Sequence, residues 1–416
     1  MYDELRKRVT SLGRRIGFTI GCLLVFRLGT FIPIPGIDAA VWQQIFRQQA
    51  GGMFGTLDTF AGGAVGRLSI FALGILPFVS ASLLLQLASI VSPALRALPK
   101  QGESGRRRLD AYTFVPTIGL AAFQALGIAI ALEGVGNVVA EPGLMFLLTT
   151  TLTLTGGVIF LVWLAGQITA RGIGNGFSLI LAAGIVAELP ALLVGVLDLA
   201  RRDVLSTNLV VGLLLLALVL TALIVHVELA RRQLQVTFPS RQVGMRMIAG
   251  RSQLRLKLNS AGMVPTILAS WLLLLPIIAA NWGWALPTWI MSELAQGRPL
   301  FLIVYAFAIM LFVFFYTAFL LNPDEIAEDL RKHGGMIAGV EPGEATANHI
   351  DRVISRISAM GAVYLAFVYL VPEILIAKWS VPFYLGGTSL LILVCAILDL
   401  KAQLDQKLQE EGLEAR

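Results

Sequence analysis

Residues 51–91, GGMFGTLDTFAGGAVGRLSIFALGILPFVSASLLLQLASIV, change character partway along without turning into a polar loop, and the reading of the whole chain depends on them. The first piece, 53–66 (MFGTLDTFAGGAVG), is Gly-rich and weakly apolar. At about 14 residues it is shorter than the roughly 20 helical residues that a hydrocarbon core requires, so it dips and turns back. After Arg67 the chain runs uncharged to Val91, long enough to span, with Pro77 in its interior. Such a proline removes a backbone hydrogen bond, and the break survives in a membrane only where protein or water lines it. A re-entrant piece feeding a Pro-broken span suggests a gated pore, with the short piece as its stopper.

The composition sets the solvent. With mean hydropathy +0.79, 56% hydrophobic and 14% charged residues, the 416-residue chain cannot present a polar exterior to water and reads as a polytopic membrane protein. Met1 to Arg15 is short, basic and amphipathic, and Ile16 to Pro33 reads as a first span without an A-x-A cleavage site. Cys22 and Cys395 lie in apolar runs and read as small buried residues. His226, His333 and His349 are scattered. No metal-ligand spacing, nucleophile elbow or phosphate loop occurs, so no metal, cofactor or catalytic residue is indicated.

Uncharged or nearly uncharged runs fall at about 16–34, 69–91, 112–132, 143–168, 173–198, 208–228, 259–280, 299–321, 357–376 and 383–399. That gives ten transmembrane helices in an all-α membrane protein. With the N-terminus inside, segments 1–15, 92–110, around 171, 229–257, 322–356 and the tail hold 25 of the 32 Lys and Arg. The bias places both termini in the cytoplasm. Arg27 sits within the first span, where it either pairs with an acid or snorkels. Glu188 and Glu228 read as solvated helix ends, and Gln124, Gln167 and Asn175 as bridges between helices.

Ten spans divide into halves of five, and an odd number per half turns the second upside down. Gly74-Ile75-Leu76-Pro77-Phe78-Val79-Ser80-Ala81-Ser82 in the second span is echoed by Gly262-Met263-Val264-Pro265-Thr266-Ile267-Leu268-Ala269-Ser270 in the seventh. Gly176-Phe177-Ser178-Leu179-Ile180-Leu181 in the fifth is echoed by Gly387-Thr388-Ser389-Leu390-Leu391-Ile392 in the tenth. The boundaries are then 1–204 for the first half, 205–400 for the second and 401–416 for a tail. If these four spans line an axis, Ile75, Val79, Phe177, Leu181, Ile267 and Ile392 lie near the midplane. All are apolar. A ring of them seals by dewetting yet grips a passing chain without demanding matched hydrogen bonds; an ordinary helix-packing core would give the same letters. An inverted repeat alone also permits a small-solute transporter, which the apolar axis and the missing buried charges disfavour.

Two cytoplasmic loops exceed what topology needs. Residues 230–257 alternate apolar and polar letters on both sides of Pro239 to Gly250, the pattern of a protruding hairpin bearing several Arg. In 322–356 the run NPDEIAEDLRKHGG reads as a short helix capped by Asn322 or Asp324 and ended by Gly334.

Several runs resemble the SecY family: FIPIPGID from Phe31, SIFALGI from Ser69, GESGRR from Gly102, QIT from Gln167 with RGIGNG from Arg171, FFYTA from Phe314 and GGTSLL from Gly386. They cover nearly the whole chain in the family's order. The resemblance implies an hourglass channel that passes unfolded polypeptides and releases hydrophobic segments sideways into lipid. It implies a pore ring at the six apolar positions above and a plug at about residues 53–67, including Phe54, Leu57, Phe60, Gly62, Gly63 and Arg67. It implies polar lateral-gate positions at Ser80, Gln124 and Ser270. The expected partners are SecE-like and SecG-like subunits, the ATPase SecA or a ribosome, secretory and membrane preproteins, and lipid, with no nucleic-acid readout; a SecY protein itself catalyses nothing. The docking loops depart from the family pattern. Single Arg241 and Arg246 stand where basic pairs are usual, Glu341 reverses the charge of a usual Arg, and Trp271 replaces a small gate residue. These departures keep open a specialised relative with a dedicated partner.

Overall fold

The computed structural model describes residues 2–49, 58–98, 102–136, 138–202, 205–238, 241–243, 246–248, 251–281, 287, 293–294, 298–379 and 386–410. Among them, seven helices are long and apolar enough to cross a membrane. They are α5 (Glu103–Glu133), α6 (Leu144–Arg171), α7 (Gly176–Arg201), α8 (Thr207–Leu229), α10 (Pro299–Leu320), α12 (Glu344–Trp379) and α13 (Gly387–Glu410). The expected first, second and seventh spans correspond to α1 (Tyr2–Gly29), α3 (Leu76–Val91), which the short α4 (Pro93–Ala97) follows, and α9 (Val264–Asn281). The count of ten spans thus stays an expectation.

The chain forms two compact units, one holding Met1–Leu205 and Ile392–Arg416, the other Ser206–Val381 and Gly386–Leu391. In the first unit α5 lays Ala121, Ala125 and Ala129, all fully buried, against Leu154 and Val158 of α6. Small residues at every fourth position let two apolar helices approach closely where no hydrophobic effect drives them together. Large apolar side chains face outward elsewhere: Phe123 is 68% exposed and Leu152 71%. Water would penalise such surfaces and lipid does not.

Pro77 and Pro265 do not break their helices. Each occupies the second position of the helix it belongs to, α3 or α9, where the missing N–H would have had no partner. The expected second span is therefore a helix from Leu76, preceded by turns over 61–75. Three residues before each proline, Gly74 (φ +57°) and Gly262 (φ +61°) hold the left-handed conformation that reverses the chain into the helix. The echoed G-x-x-P is a helix-start device used once in each unit.

The second unit carries a module that adds strands to a helical protein. Strands β1 (Arg231–Thr237) and β4 (Arg251–Lys257) pair antiparallel from Arg231↔Lys257 to Thr237↔Arg251, as the alternation in the loop requires. β5 (Met336–Ile337) joins β1 through Val236↔Ile337, giving the order β4-β1-β5. β2 (Arg241–Val243) and β3 (Arg246–Ile248) pair at the tip. Leu234, Val236, Leu256 and Ile337 pack on Ala327 of α11 (Pro323–Lys332) and on Ile350, Ile354 and Ile357 of α12. The side chain of Asn322 accepts from the Asp324 N–H and caps α11, and Gly334 follows the helix at φ +71°.

Candidate functional site

The turn after residues 58–60 is built from two left-handed glycines, Gly62 (φ +66°) and Gly63 (φ +76°). It is closed by local bonds: the Gly63 N–H donates to the Asp58 carbonyl at 2.8 Å and the Gly66 N–H to Asp58 Oδ1 at 2.7 Å. Burial pushes the Asp58 carboxyl up from 3.8 to about 6, with the Gly66 N–H pulling the other way. The Trp42 indole of α2 (Ala39–Gln49) donates to the Val65 carbonyl at 2.9 Å. Ala61 and Ala64 are buried. On α7, Gly184 makes room: a Cβ there would lie 2.7 Å from the Phe60 carbonyl and 3.1 Å from the Gly62 nitrogen.

Charge gathers on the same turn. Arg27 Nη1 from α1 and Arg67 Nη2 each donate to the Gly62 carbonyl at 2.6 Å. Arg67 Nε also donates to the Thr30 carbonyl at 3.1 Å. Glu188 Oε1 of α7 lies 3.9 Å from Arg27 Nη1 and 3.6 Å from Arg67 Nη2. Both guanidinium groups rest over the Phe31 ring, at 4.7 and 4.5 Å. Arg27 thus pairs with an acid, as one of its two expected roles had it. Glu188 is not a solvated helix end: its side chain is 17% exposed. A lone acid in one span and a lone arginine in another is the signal that links them, but sequence spacing does not say that they share a layer. Glu228 is likewise no free helix end, since it accepts from Asn259 Nδ2 at 2.7 Å.

The six apolar positions have different surroundings. Ile75, just ahead of α3, is 1% exposed, and Leu181 on α7 and Ile392 on α13 are buried. Val79, Phe177 and Ile267 are half-buried. Phe177 stacks face to face on Phe78, with centroids 4.1 Å apart and planes 7° from parallel, so the first turns of α3 and α7 are joined by an aromatic pair. Asn175 caps α7 by accepting from the Phe177 N–H and is not a bridge between helices. The turn before it is held by distant groups: the Ile173 N–H donates to Thr19 Oγ1, the Gly174 N–H to Gln403 Oε1, and Lys407 Nζ to the Gly172 carbonyl.

Of the expected plug residues, Phe60, Gly62, Gly63 and Arg67 meet at this turn, while Phe54 and Leu57 lie outside the described residues. Ser80 on α3 and Gln124 on α5 are half-buried in the first unit. Ser270 belongs to the second unit, where its hydroxyl donates to the Thr266 carbonyl at 2.9 Å and lies 3.2 Å from the Tyr305 hydroxyl. Tyr369 donates to Thr266 Oγ1 at 2.8 Å, so the start of α9 is held by a neutral hydrogen-bonded chain. Arg241 and Arg246 stand in β2 and β3, in the register Arg241↔Ile248 and Val243↔Arg246. The Glu341 side chain is exposed, while its carbonyl accepts from the Thr346 hydroxyl at 2.7 Å and fixes the turn into α12.

Comparison with known proteins gives these residues a context. The SecY family model matches residues 69–401. The protein translocase subunit SecY of Escherichia coli strain K12 is 44% identical over 423 residues, which covers 100% of this chain and 96% of that protein. Among solved structures, one titled for the plug domain of SecY, which stabilises the closed state of the translocation channel and maintains a membrane seal, superposes with TM-score 0.62 at 18% identity, covering 95% and 92% of the two chains. The yeast Ssh1 complex bound idle to the 80S ribosome superposes with TM-score 0.64 at 15% identity, covering 96% and 91%. Both structures share this fold.

Proposed function

The chain belongs to the SecY family, and on that premise we propose that it is the protein-conducting channel subunit of a bacterial Sec translocon, a multi-pass protein of the cytoplasmic membrane. It passes unfolded polypeptides across the bilayer and releases hydrophobic segments sideways into lipid. The observation that carries this reading is the 44% identity running through the whole chain. In this reading Ile75, Val79, Phe177, Leu181, Ile267 and Ile392 form the constriction. An apolar ring excludes water when empty and takes any side chain that passes, which a route lined with carboxylates or amides does not. Residues 53–67 are the plug beside it. Ser80, Gln124 and Ser270 belong to the lateral gate. The excess of Lys and Arg on one set of loops puts both termini in the cytoplasm.

The chain supplies the conduit and its partners supply the energy, through SecA or a translating ribosome, with SecE-like and SecG-like subunits alongside. The cytoplasmic module with Arg241, Arg246 and Glu341 is the docking surface. An arginine at 341 would meet carboxylate or phosphate in two parallel hydrogen bonds, and the glutamate repels the same group. The docking contact is therefore altered here, and Glu341→Arg should change SecA affinity; an unchanged affinity would show that this turn takes no part.

The channel reading is tested by a site-specific photocrosslink from position 267 to a secretory protein stalled in transit, with the chain reconstituted beside its SecE-like partner and cognate SecA. A crosslink that requires both SecA and ATP is expected. Its absence, with a SecY of established activity giving signal in parallel, overturns the reading.

A further inference from the structure

We propose that Glu188 is the keystone of a charged latch that holds the plug shut, acting through Arg27 and Arg67 on the Gly62 carbonyl. The proposal rests on the channel reading and adds the residues that set how firmly the resting channel is closed. Its basis is a geometry that general helix packing does not explain. Two guanidinium groups, one from α1 and one from the far end of the plug, converge on a single carbonyl at 2.6 Å each. Cations so placed repel one another. The only carboxylate in salt-bridge range of both, among the described residues, is Glu188.

The plug backbone is shaped to receive this cluster. Gly62 presents its carbonyl from a left-handed conformation. At Gly63 a Cβ would run into both Glu188 Oε1 and the Arg67 guanidinium, so a glycine is what lets the acid and the base close over the turn. Gly184 performs the same service from α7. Each of the three ionic side chains is less than a third exposed, at 31, 28 and 17%, so solvent screens the cluster only in part.

The consequence follows from the charge balance. When the plug leaves, the Gly62 carbonyl withdraws from Arg27, Arg67 departs with the plug, and Glu188 is left facing Arg27 alone. The seated plug is favoured by the difference. Replacing Glu188 by Gln keeps the size of the side chain but leaves the two guanidinium groups uncompensated at one acceptor, which shifts the population toward the unseated plug. Loss of an acid thus opens the channel without touching the constriction.

The test uses the chain reconstituted with its SecE-like partner, wild type against Glu188→Gln, with resting ion conductance in a planar bilayer and SecA-driven translocation of a preprotein as paired readouts. The expected result is a resting conductance raised by roughly tenfold, with translocation of a preprotein bearing an intact signal sequence retained. A preprotein with a weakened signal sequence should cross more readily through the variant. A resting conductance equal to wild type overturns the latch, and so does a rise accompanied by a matching loss of translocation, which reports general misfolding. If Glu188→Gln does not assemble, Arg27→Gln is read in the same way, and a tight channel in that variant also overturns it. Failure of wild-type translocation would strike the channel reading instead, and the two failures are thereby told apart.

Discussion

The starts of α3 and α9 use one backbone device in two chemical settings. In each, a left-handed glycine reverses the chain and a proline three residues later opens the helix, Gly74 with Pro77 and Gly262 with Pro265. In the first unit the reversal lies beside the Gly62–Gly63 turn, a Cβ on Gly74 coming within 3.7 Å of Ala61, and the surroundings carry Arg27, Arg67, Glu188 and Asp58. In the second unit the same start is held by neutral groups, Thr266 to Tyr369 and Ser270 to Tyr305. Equal local sequence yields equal local backbone, and function divides according to what is packed on it. A charged setting can be switched by a proton or a lost partner, whereas a neutral hydrogen-bonded chain of this kind mainly stiffens its helix.

The largest effect that would sharpen this comparison falls where the two units agree in both backbone and packing. Gly176 opens α7 and Gly387 opens α13. A Cβ on Gly176 would collide with the Ala165 carbonyl of α6, and one on Gly387 with the Val368 carbonyl of α12. Neither obstacle is a side chain that can swing away. Gly176→Ala and Gly387→Ala should each cost about 3 kcal/mol, read as a lowered unfolding midpoint of the detergent-solubilised complex. Gly262→Ala, which meets nothing within 4 Å and bears only the left-handed strain, should cost about 1 kcal/mol. If Gly262→Ala proved as damaging as Gly387→Ala, backbone conformation rather than close packing would govern the repeat.

Much of this was legible in the letters. Apolar runs gave the spans that α5, α6, α7, α8, α10, α12 and α13 occupy, because lipid demands long uncharged helices and little else mimics them. The alternation around Pro239 gave the hairpin, and Asn322 gave the cap of α11. The prolines misled. A proline inside an apolar run reads as a break only if the helix already extends on both sides of it, and Gly74 and Gly262 were the signs that it does not. The turn at Gly62 and Gly63 was recognisable by its glycines, but its anchoring was not. Glu188 looks like any acid near the end of a span, and its meeting with Arg27 and Arg67 depends on the tertiary layer they share, which no periodicity encodes. The same holds for Gln403 and Lys407, far along the chain from the Gly172–Gly174 turn they bind.

The comparison can also be broken from the charged side. The Asp58 carboxyl is raised from 3.8 to about 6 because burial at this turn removes it from water, with the Gly66 N–H and Arg67 opposing the rise and Glu188 nearby adding to it. On the channel reading proposed above, a displaced plug returns the group to solvent and to its ordinary value. The seated state therefore binds the proton more tightly, and protonation favours it. This contribution is complete below 3.8 and is lost as pH rises through about 6. Resting conductance should accordingly increase across that window, with roughly a hundredfold as the ceiling for a group that returns fully to its ordinary value. Asp58→Asn keeps an acceptor for the Gly66 N–H and cannot ionise, so its conductance should stay at the low-pH level throughout. A wild-type channel whose leak does not change with pH would mean that Asp58 stays in the same environment when the plug moves, and the charged turn would then be as inert as its neutral counterpart at Thr266.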